Sequence, residues 1–139
     1  MDDPHDLQRF VDAQDPVYDR VTADLEQGAK TSHWMWFVFP QLRALGRSET
    51  ARRYGLASAD EARAYWQHPV LGPRLAHCTG LVLAVRGRTL RQIFGTPDDM
   101  KFCSSMTLFE HVAPEHPAFA QALDRCCGGR RDPLTTALL

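Results

Sequence analysis

The chain has 139 residues, of which 44% are hydrophobic and 24% are charged, and this composition is close to the average of globular proteins. Disorder throughout the body of the chain is excluded, because a disordered chain has fewer apolar residues and a larger net charge. The 16 Lys plus Arg residues nearly balance the 17 Asp plus Glu residues and leave a formal net charge of -1, which argues against non-specific binding of nucleic acid through a basic surface.

Helix start and stop signals divide the N-terminal part of the chain into two short helices. Asp3-Pro4 and Asp15-Pro16 each combine an N-capping residue with a proline suited to the first helical position. The second helix is predicted to end at Gly28, since glycine readily adopts the left-handed conformation that terminates a helix. Two helices are favoured over one long helix because Pro16 has no backbone donor.

The rest of the chain contains similar start and stop signals for helices. Ser48 is predicted to cap a short helix that ends before Gly55, and Ser58 and Glu61 fit a capping box, in which each residue satisfies a backbone donor of the other. No hairpin signal and no clean alternation of polarity indicates a strand, apart from the ambiguous apolar run at residues 34–39. We predict a compact, multihelical, all-α fold with further helices over residues 71–85, 89–94, 97–112, 117–127 and from 132 onwards.

Neither a targeting segment nor a membrane-spanning segment is expected. Residues 1–5 contain two acids and lead into no apolar stretch, unlike a signal peptide. The longest apolar run, residues 34–40, is far shorter than the roughly 20 residues that cross a bilayer as a helix. We therefore expect a cytoplasmic protein with no membrane contact, built as a single helical domain over residues 1–139.

The cysteine and glycine patterns indicate neither a metal site nor a cofactor. The cysteines lack paired C-x-x-C spacing, and the chain contains no P-loop and no G-x-G-x-x-G motif. In a cytoplasmic chain the thiols are expected to be reduced, with an oxidised Cys126-Cys127 pair as a minor alternative. The four cysteines are Cys78, Cys103, Cys126 and Cys127.

The segment at residues 33–41 concentrates large aromatic side chains. Wound as a helix, it is apolar in every direction, which predicts a central rather than a peripheral position. Trp34 and Trp36 then belong to the core, where each indole N–H requires an acceptor. In the alternative interpretation the two indole rings and His33 form one wall of a ligand pocket, and Gln41 orients the ligand.

A second unusual segment, residues 98–109, places charges and hydroxyls on a mostly apolar helix. Asp98 and Lys101 are spaced to pair along the helix. In one interpretation the acid favours the helix N-terminus, the lysine extends its charge to solvent, and the serines bond to the preceding turn. In the other, Lys101, Ser104 and Ser105 line a polar cavity that holds an anionic group.

These two segments also carry a family resemblance. The string SHWMWFVFPQL at residues 32–42, followed by PDDMK at 97–101 and SSMTLF at 104–109, resembles the bacterial domain-of-unknown-function family 1810. Shorter matches within residues 6–14 and 68–75 extend the resemblance over nearly the whole chain. It implies an all-α single-domain fold of bacterial origin and no established activity. Some relatives carry the label calpastatin, but the chain has nothing like the disordered repeats of that protease inhibitor.

The two unusual segments together predict a ligand pocket between the Trp-rich segment and the helix at residues 98–109. An apolar pocket with a few polar groups suits a small, planar, anionic ligand, such as a nucleotide-like metabolite. The indole rings stack on the ligand in this interpretation, and the lysine and the serines receive the anion. The predicted ligand-binding residues are His33, Trp34, Trp36, Gln41, Lys101, Ser104 and Ser105.

The sequence leaves the activity open between several classes. If chemistry occurs at the predicted pocket, Asp98 or Asp99 is the candidate general base and His33 is the candidate acid. The alternative is an interaction or structural module, in which both segments form a dry core and an exposed aromatic patch contacts a protein partner. Nucleic-acid binding ranks last, because the arginines of residues 86–91 and 43–53 must first meet on one face.

Overall fold

The structure, a computed structural model, describes residues 3–139, which form ten α-helices and one short 3₁₀ helix. The predicted all-α fold is confirmed. None of the helices in this part of the chain combines the length and apolar character needed to cross a bilayer. The elements are α1 (Gln8–Gln14), α2 (Tyr18–Gln27), α3 (Met35–Val38), the 3₁₀ helix (Arg43–Leu45), α4 (Glu49–Arg53), α5 (Ala59–Gln67), α6 (Leu71–Ala84), α7 (Leu90–Phe94), α8 (Asp98–Val112), α9 (Pro117–Cys126) and α10 (Pro133–Ala137).

Helix α8 is the central element of the fold. It packs against α5, α7, α9 and α10, and its side chains Phe102, Met106 and Phe109 are completely buried. A helix that is apolar on nearly every side has to be surrounded by other helices, because each large buried side chain stabilises the fold by about 1.5–3 kcal/mol. Helix α8 therefore fixes the position of any side chain that its first turns present to solvent.

The Trp-rich segment forms the single-turn helix α3 and the residues beside it. Trp34 and Phe39 are each 1% exposed, and the ring of Phe39 contacts the ring of Phe102 edge-on at 5.0 Å between centroids. The predicted central position of this segment is confirmed. The ambiguous apolar run is helical, and no strand forms there.

Residues 42–56 follow the Trp-rich segment and form a loop whose two ends meet. We call this loop the closed excursion. The backbone N–H of Arg43 donates to the carbonyl of Leu56 at 2.7 Å, and the N–H of Leu56 donates to the carbonyl of Gln41 at 2.9 Å. These bonds form an isolated parallel bridge between Leu42 and Leu56. The 3₁₀ helix and α4 lie between the two ends that this bridge brings together.

The predicted helix caps are partly correct. Ser48 accepts the N–H of Ala51, as predicted for the start of α4. Ser58 accepts the N–H of Glu61, but the Glu61 carboxylate accepts the N–H of Ala57, so the reciprocal half of the predicted capping box is wrong. A complete capping box forms instead at the start of α7, between Thr89 and Gln92.

The N-terminal helix begins later than the sequence indicates. Asp3 accepts the N–H groups of Leu7 and Gln8, so its side chain does cap a helix, but the regular helix α1 starts at Gln8 rather than at Pro4. The predicted break at Pro16 and the end of α2 at Gly28, which has φ 69°, are both confirmed. The capping and stop residues of the sequence therefore predict where α1 and α2 end better than where α1 begins.

The predicted reduced state of the cysteines is wrong for two of the four. Cys103 on α8 and Cys127, the residue after α9, form a disulfide across a sequence separation of 24 residues. Cys78 and Cys126 are free thiols, so the alternative pairing of Cys126 with Cys127 does not occur. The two bonded cysteines meet because α9 packs on α8, which spacing in the sequence does not reveal.

Candidate functional site

A cavity of about 760 Å³ lies between the closed excursion and the first turns of α8 and α10. Its size is within the range of sites for small molecules, about 300–1,000 Å³. Half of the residues that line it are apolar, and two of these, Met100 and Leu134, are 65% and 64% exposed. The polar part of the lining consists of Gln41, Arg47, Ser48, Lys101, Ser104 and Asp132.

Lys101 is a cation whose charge is only partly neutralised. The Asp98 carboxylate lies 2.9 Å from the Nζ of Lys30 through one oxygen and 3.7 Å from the Nζ of Lys101 through the other. Two ammonium groups thus share a single carboxylate. The side chain of Lys30 is 8% exposed and that of Lys101 is 26% exposed, so the shorter pair is also the less hydrated one. Lys101 therefore keeps positive charge available at the cavity.

Arg47 is a second cation at the cavity. The acid in the cavity wall, Asp132, already accepts hydrogen bonds within the protein. Arg47 is exposed and forms no ion pair with any acid among residues 3–139. The Asp132 carboxylate accepts the Ser104 hydroxyl at 3.1 Å and the N–H of Thr135 at 3.1 Å. These bonds hold α10 against α8. Because the two cations Arg47 and Lys101 outnumber this one acid in the lining, the cavity favours an anion over a cation.

Trp36 adjoins the cavity but does not line it. The Nζ of Lys101 lies 5.8 Å from the centroid of the Trp36 ring, at the distance of a cation–π contact. The ring of His33 stacks on Trp36 at 6.4 Å between centroids. The space that Trp36 shares with Lys101 and Gln41 measures only about 10 Å³, which is too small for a ligand while Lys101 lies against the indole ring.

The structure separates the remaining predicted residues from the cavity. Trp34 is buried in the core, and its indole N–H donates to Asp24 at 3.0 Å. Ser105 is completely buried and does not line the cavity. Asp99 lines a different cavity and accepts the N–H of Met100. Asp98 is held by two lysines, and His33 is exposed beside Trp36. Neither the candidate acid nor the candidate bases line the cavity.

Sequence reasoning missed the part of the site that tertiary packing assembles. Arg47 and Ser48 belong to the closed excursion, and Asp132 and Leu134 belong to the C-terminal turn. Asp132 was recognisable only as the N-cap of a helix, and it does accept the N–H of Thr135 in that role. No pattern in the sequence shows that α4 and α10 lie on either side of the first turn of α8.

The two neighbouring serines of α8 should respond oppositely to replacement by alanine. Among the partners that residues 3–139 offer, the buried Ser105 hydroxyl has none for a hydrogen bond, so we expect Ser105→Ala to raise the free energy of unfolding by up to about 1 kcal/mol. The Ser104 hydroxyl bonds to the carbonyl of Met100 and to Asp132, so Ser104→Ala should lower it by about 1 kcal/mol. Urea unfolding followed by circular dichroism measures both. Equal losses in the two variants would show that Ser105 has a partner.

Comparison with known proteins identifies relatives but no activity. A family profile with the description "Protein of unknown function (DUF1810)" matches residues 4–139. The crystal structure of the conserved hypothetical protein Rv1873 from Mycobacterium tuberculosis is similar, with a TM-score of 0.97 and 56% sequence identity over 99% of this chain and 98% of that chain. No curated protein matches. The fold is thus shared with a solved protein whose description names no ligand and no reaction.

Proposed function

The chain belongs to the DUF1810 family of proteins of unknown function, and we propose that it binds a small, planar, anionic metabolite of nucleotide-like chemistry in the cavity between α4, α8 and α10. One observation carries the proposal: Lys101 and Arg47 both line a cavity of suitable size, while the acid there is already hydrogen-bonded within the protein. A site with this balance of charge selects an anion by electrostatic attraction.

In this proposal the anionic end of the ligand accepts hydrogen bonds from side chains that still have N–H or O–H groups available to donate. Lys101 provides an ammonium group and Arg47 a guanidinium group, which suits the bidentate binding of a phosphate or carboxylate. The Ser48 oxygen accepts the N–H of Ala51, and its hydroxyl hydrogen remains able to donate. Gln41 adds an amide N–H. Ser104 acts indirectly in this proposal, because it fixes Asp132.

The apolar part of the ligand is covered by the remaining walls of the cavity. Met100 and Leu134 are highly exposed for side chains of their size, and a flat apolar group bound between them removes this surface from water. Trp36 supplies a ring face next to the cavity once Lys101 turns from the indole towards the anion. Trp34 has no part in the proposed site because it lies in the core.

We expect adenosine monophosphate, which combines a planar ring with a phosphate, to bind measurably by isothermal titration calorimetry. Lys101→Met removes one charge-assisted hydrogen bond while keeping the length of the side chain, so we expect affinity to fall at least about tenfold. Arg52→Met is the matched control, because Arg52 is exposed on α4 and does not line the cavity. The control should bind like the wild type, and uncharged adenosine should bind more weakly than the nucleotide.

Two results would contradict the proposed function. One is the absence of saturable binding by adenosine monophosphate and by the planar sulfonate 8-anilino-1-naphthalenesulfonate. The other is binding that Lys101→Met and Arg52→Met weaken equally, because charge at the cavity would then have no special role. In either case the exposed Met100 and Leu134 favour the alternative function of a protein interface.

A further inference from the structure

We infer that the disulfide between Cys103 and Cys127 is an exchange site for a low-molecular-weight thiol, and that its reduction weakens ligand binding in the neighbouring cavity. The exchange of the disulfide stands independently of any ligand. The effect on binding rests on the proposed function, since it concerns the wall of that cavity.

A small thiol has access to the disulfide. Cys103 and Cys127 are both partly exposed, and both line a second, open cavity of about 280 Å³. This second cavity also contains Met100 and Asp132, which line the proposed ligand cavity as well. The disulfide thus lies at a surface that thiols reach from solvent, directly beside the proposed site.

The chain leads from the disulfide straight into the wall of the ligand cavity. Only residues 128–132 separate Cys127 from α10. The backbone N–H of Asp132 donates to the Thr107 hydroxyl at 3.0 Å, and Arg131 pairs with Glu110. Helix α10 has five residues, and a helix of this length is unstable unless it is held by its surroundings. The covalent bond to α8 is therefore one of a small number of ties that keep Asp132 and Leu134 in place.

The exchange reaction uses two molecules of the small thiol. The thiolate of the first attacks one cysteine sulfur, the S–S bond of the protein breaks, and the other cysteine leaves as a thiolate that takes up the proton lost by the attacking thiol. The second thiol attacks the mixed disulfide and releases the oxidised small molecule. Two electrons pass to the protein, which ends with Cys103 and Cys127 as thiols.

The other two cysteines do not compete for this reaction. Burial raises the pKa of the Cys126 thiol in the same cavity, against a smaller opposite effect of the Arg125 charge, so Cys126 is a poor nucleophile near neutral pH. Burial also raises the pKa of Cys78 to about 12, although Tyr18 and Arg74 lower it in part. Cys78 thus serves as an internal control that reacts only when the protein unfolds.

The exchange site is tested on the native protein with reduced glutathione as the thiol. We expect peptide mapping by mass spectrometry after alkylation to show labels on Cys103 and Cys127 that appear only after reduction, while Cys78 remains unlabelled. Amide hydrogen exchange of residues 128–137 should become faster on reduction, whether or not a ligand binds. A disulfide that glutathione reduces only in unfolding concentrations of urea, with Cys78 labelled at the same time, would overturn the proposed exchange site.

The effect on binding is tested by titrating oxidised and reduced protein with adenosine monophosphate. We expect reduction to weaken affinity about fivefold or more, and the double variant with Cys103→Ala and Cys127→Ala to bind like the reduced protein. Cys126→Ala should retain the difference between the two states. Equal affinity of oxidised and reduced protein would overturn the effect on binding, whereas no binding in either state would overturn the proposed function and leave the labelling result to decide the exchange site.

Discussion

Replacement of Asp24 by alanine is expected to lower the free energy of unfolding by about 3 kcal/mol or more. The buried Asp24 carboxylate accepts the N–H and the hydroxyl of Thr31 at 3.0 and 2.8 Å, the hydroxyl of Ser32 at 3.0 Å and the indole N–H of Trp34 at 3.0 Å. Alanine leaves the fully buried indole donor without an acceptor. Urea unfolding measured by circular dichroism checks the loss.

Glu26→Ala is the matched control for Asp24, since Glu26 is an exposed acid on the same helix. The control should change stability by no more than about 0.5 kcal/mol. If the free energy of unfolding fell by the same small amount in Asp24→Ala and Glu26→Ala, the hydrogen bonds around Asp24 would not stabilise the link between α2 and the Trp-rich segment.

The same carboxylate should make stability depend on pH in the acid range. Burial alone raises the pKa of Asp24, but the hydrogen bonds from Trp34, Thr31 and Ser32 favour the charged form more strongly, and the pKa is lowered overall. A carboxyl whose pKa is lower in the folded state stabilises the fold above its unfolded pKa of about 3.9 and loses this contribution as the pH falls through the folded value. Asp24→Asn should therefore flatten the decline of stability below about pH 4.

Gly72→Ala is the second substitution for which we expect a large loss, about 3 kcal/mol. A Cβ atom at Gly72 would lie 2.1 Å from the carbonyl oxygen of Trp66, which is backbone and has no flexible end that can move away. Helix α6 would have to shift relative to α5, and α8 packs on α5. Thermal or urea unfolding measures the effect.

Gly80→Ala in the same helix provides the control for Gly72. A Cβ at Gly80 meets nothing within 4 Å, and alanine is the better helix former by roughly 0.5–1 kcal/mol. The two glycine-to-alanine changes should thus shift stability in opposite directions. A Gly72→Ala variant as stable as Gly80→Ala would show that α5 and α6 separate at little cost.

Helix boundaries were predictable because their signals are local. Gly28 ends α2 and Ser48 caps α4 through bonds within a few residues of the chain. The capping box at Ser58 was half wrong for a tertiary reason: Glu61 turns to Ala57 and to Arg9, which reaches it from α1. The sequence contains the local donor and acceptor, but not the competing partner from a distant helix.

The candidate site was predicted only where the two unusual segments contribute to it. Gln41, Lys101 and Ser104 do line one cavity. Trp34 and Trp36 have the same residue type and lie two positions apart, yet Trp34 is buried and donates to Asp24, whereas Trp36 lies beside the cavity. Which indole faces inward depends on the geometry of the single-turn helix, and periodicity cannot resolve a helix of four residues.

The bridge between Leu42 and Leu56 has a consequence for divergence among relatives. Because the two ends of residues 42–56 are held together, substitutions at the exposed residues 47–50 between them leave the helices outside in place. That excursion supplies Arg47 and Ser48 to one side of the cavity, whereas the central helix supplies the opposite side. Evolution can therefore change what the cavity selects through a few exposed positions of one tethered segment, while Ala51 and Tyr54 of the same segment keep it packed on the core.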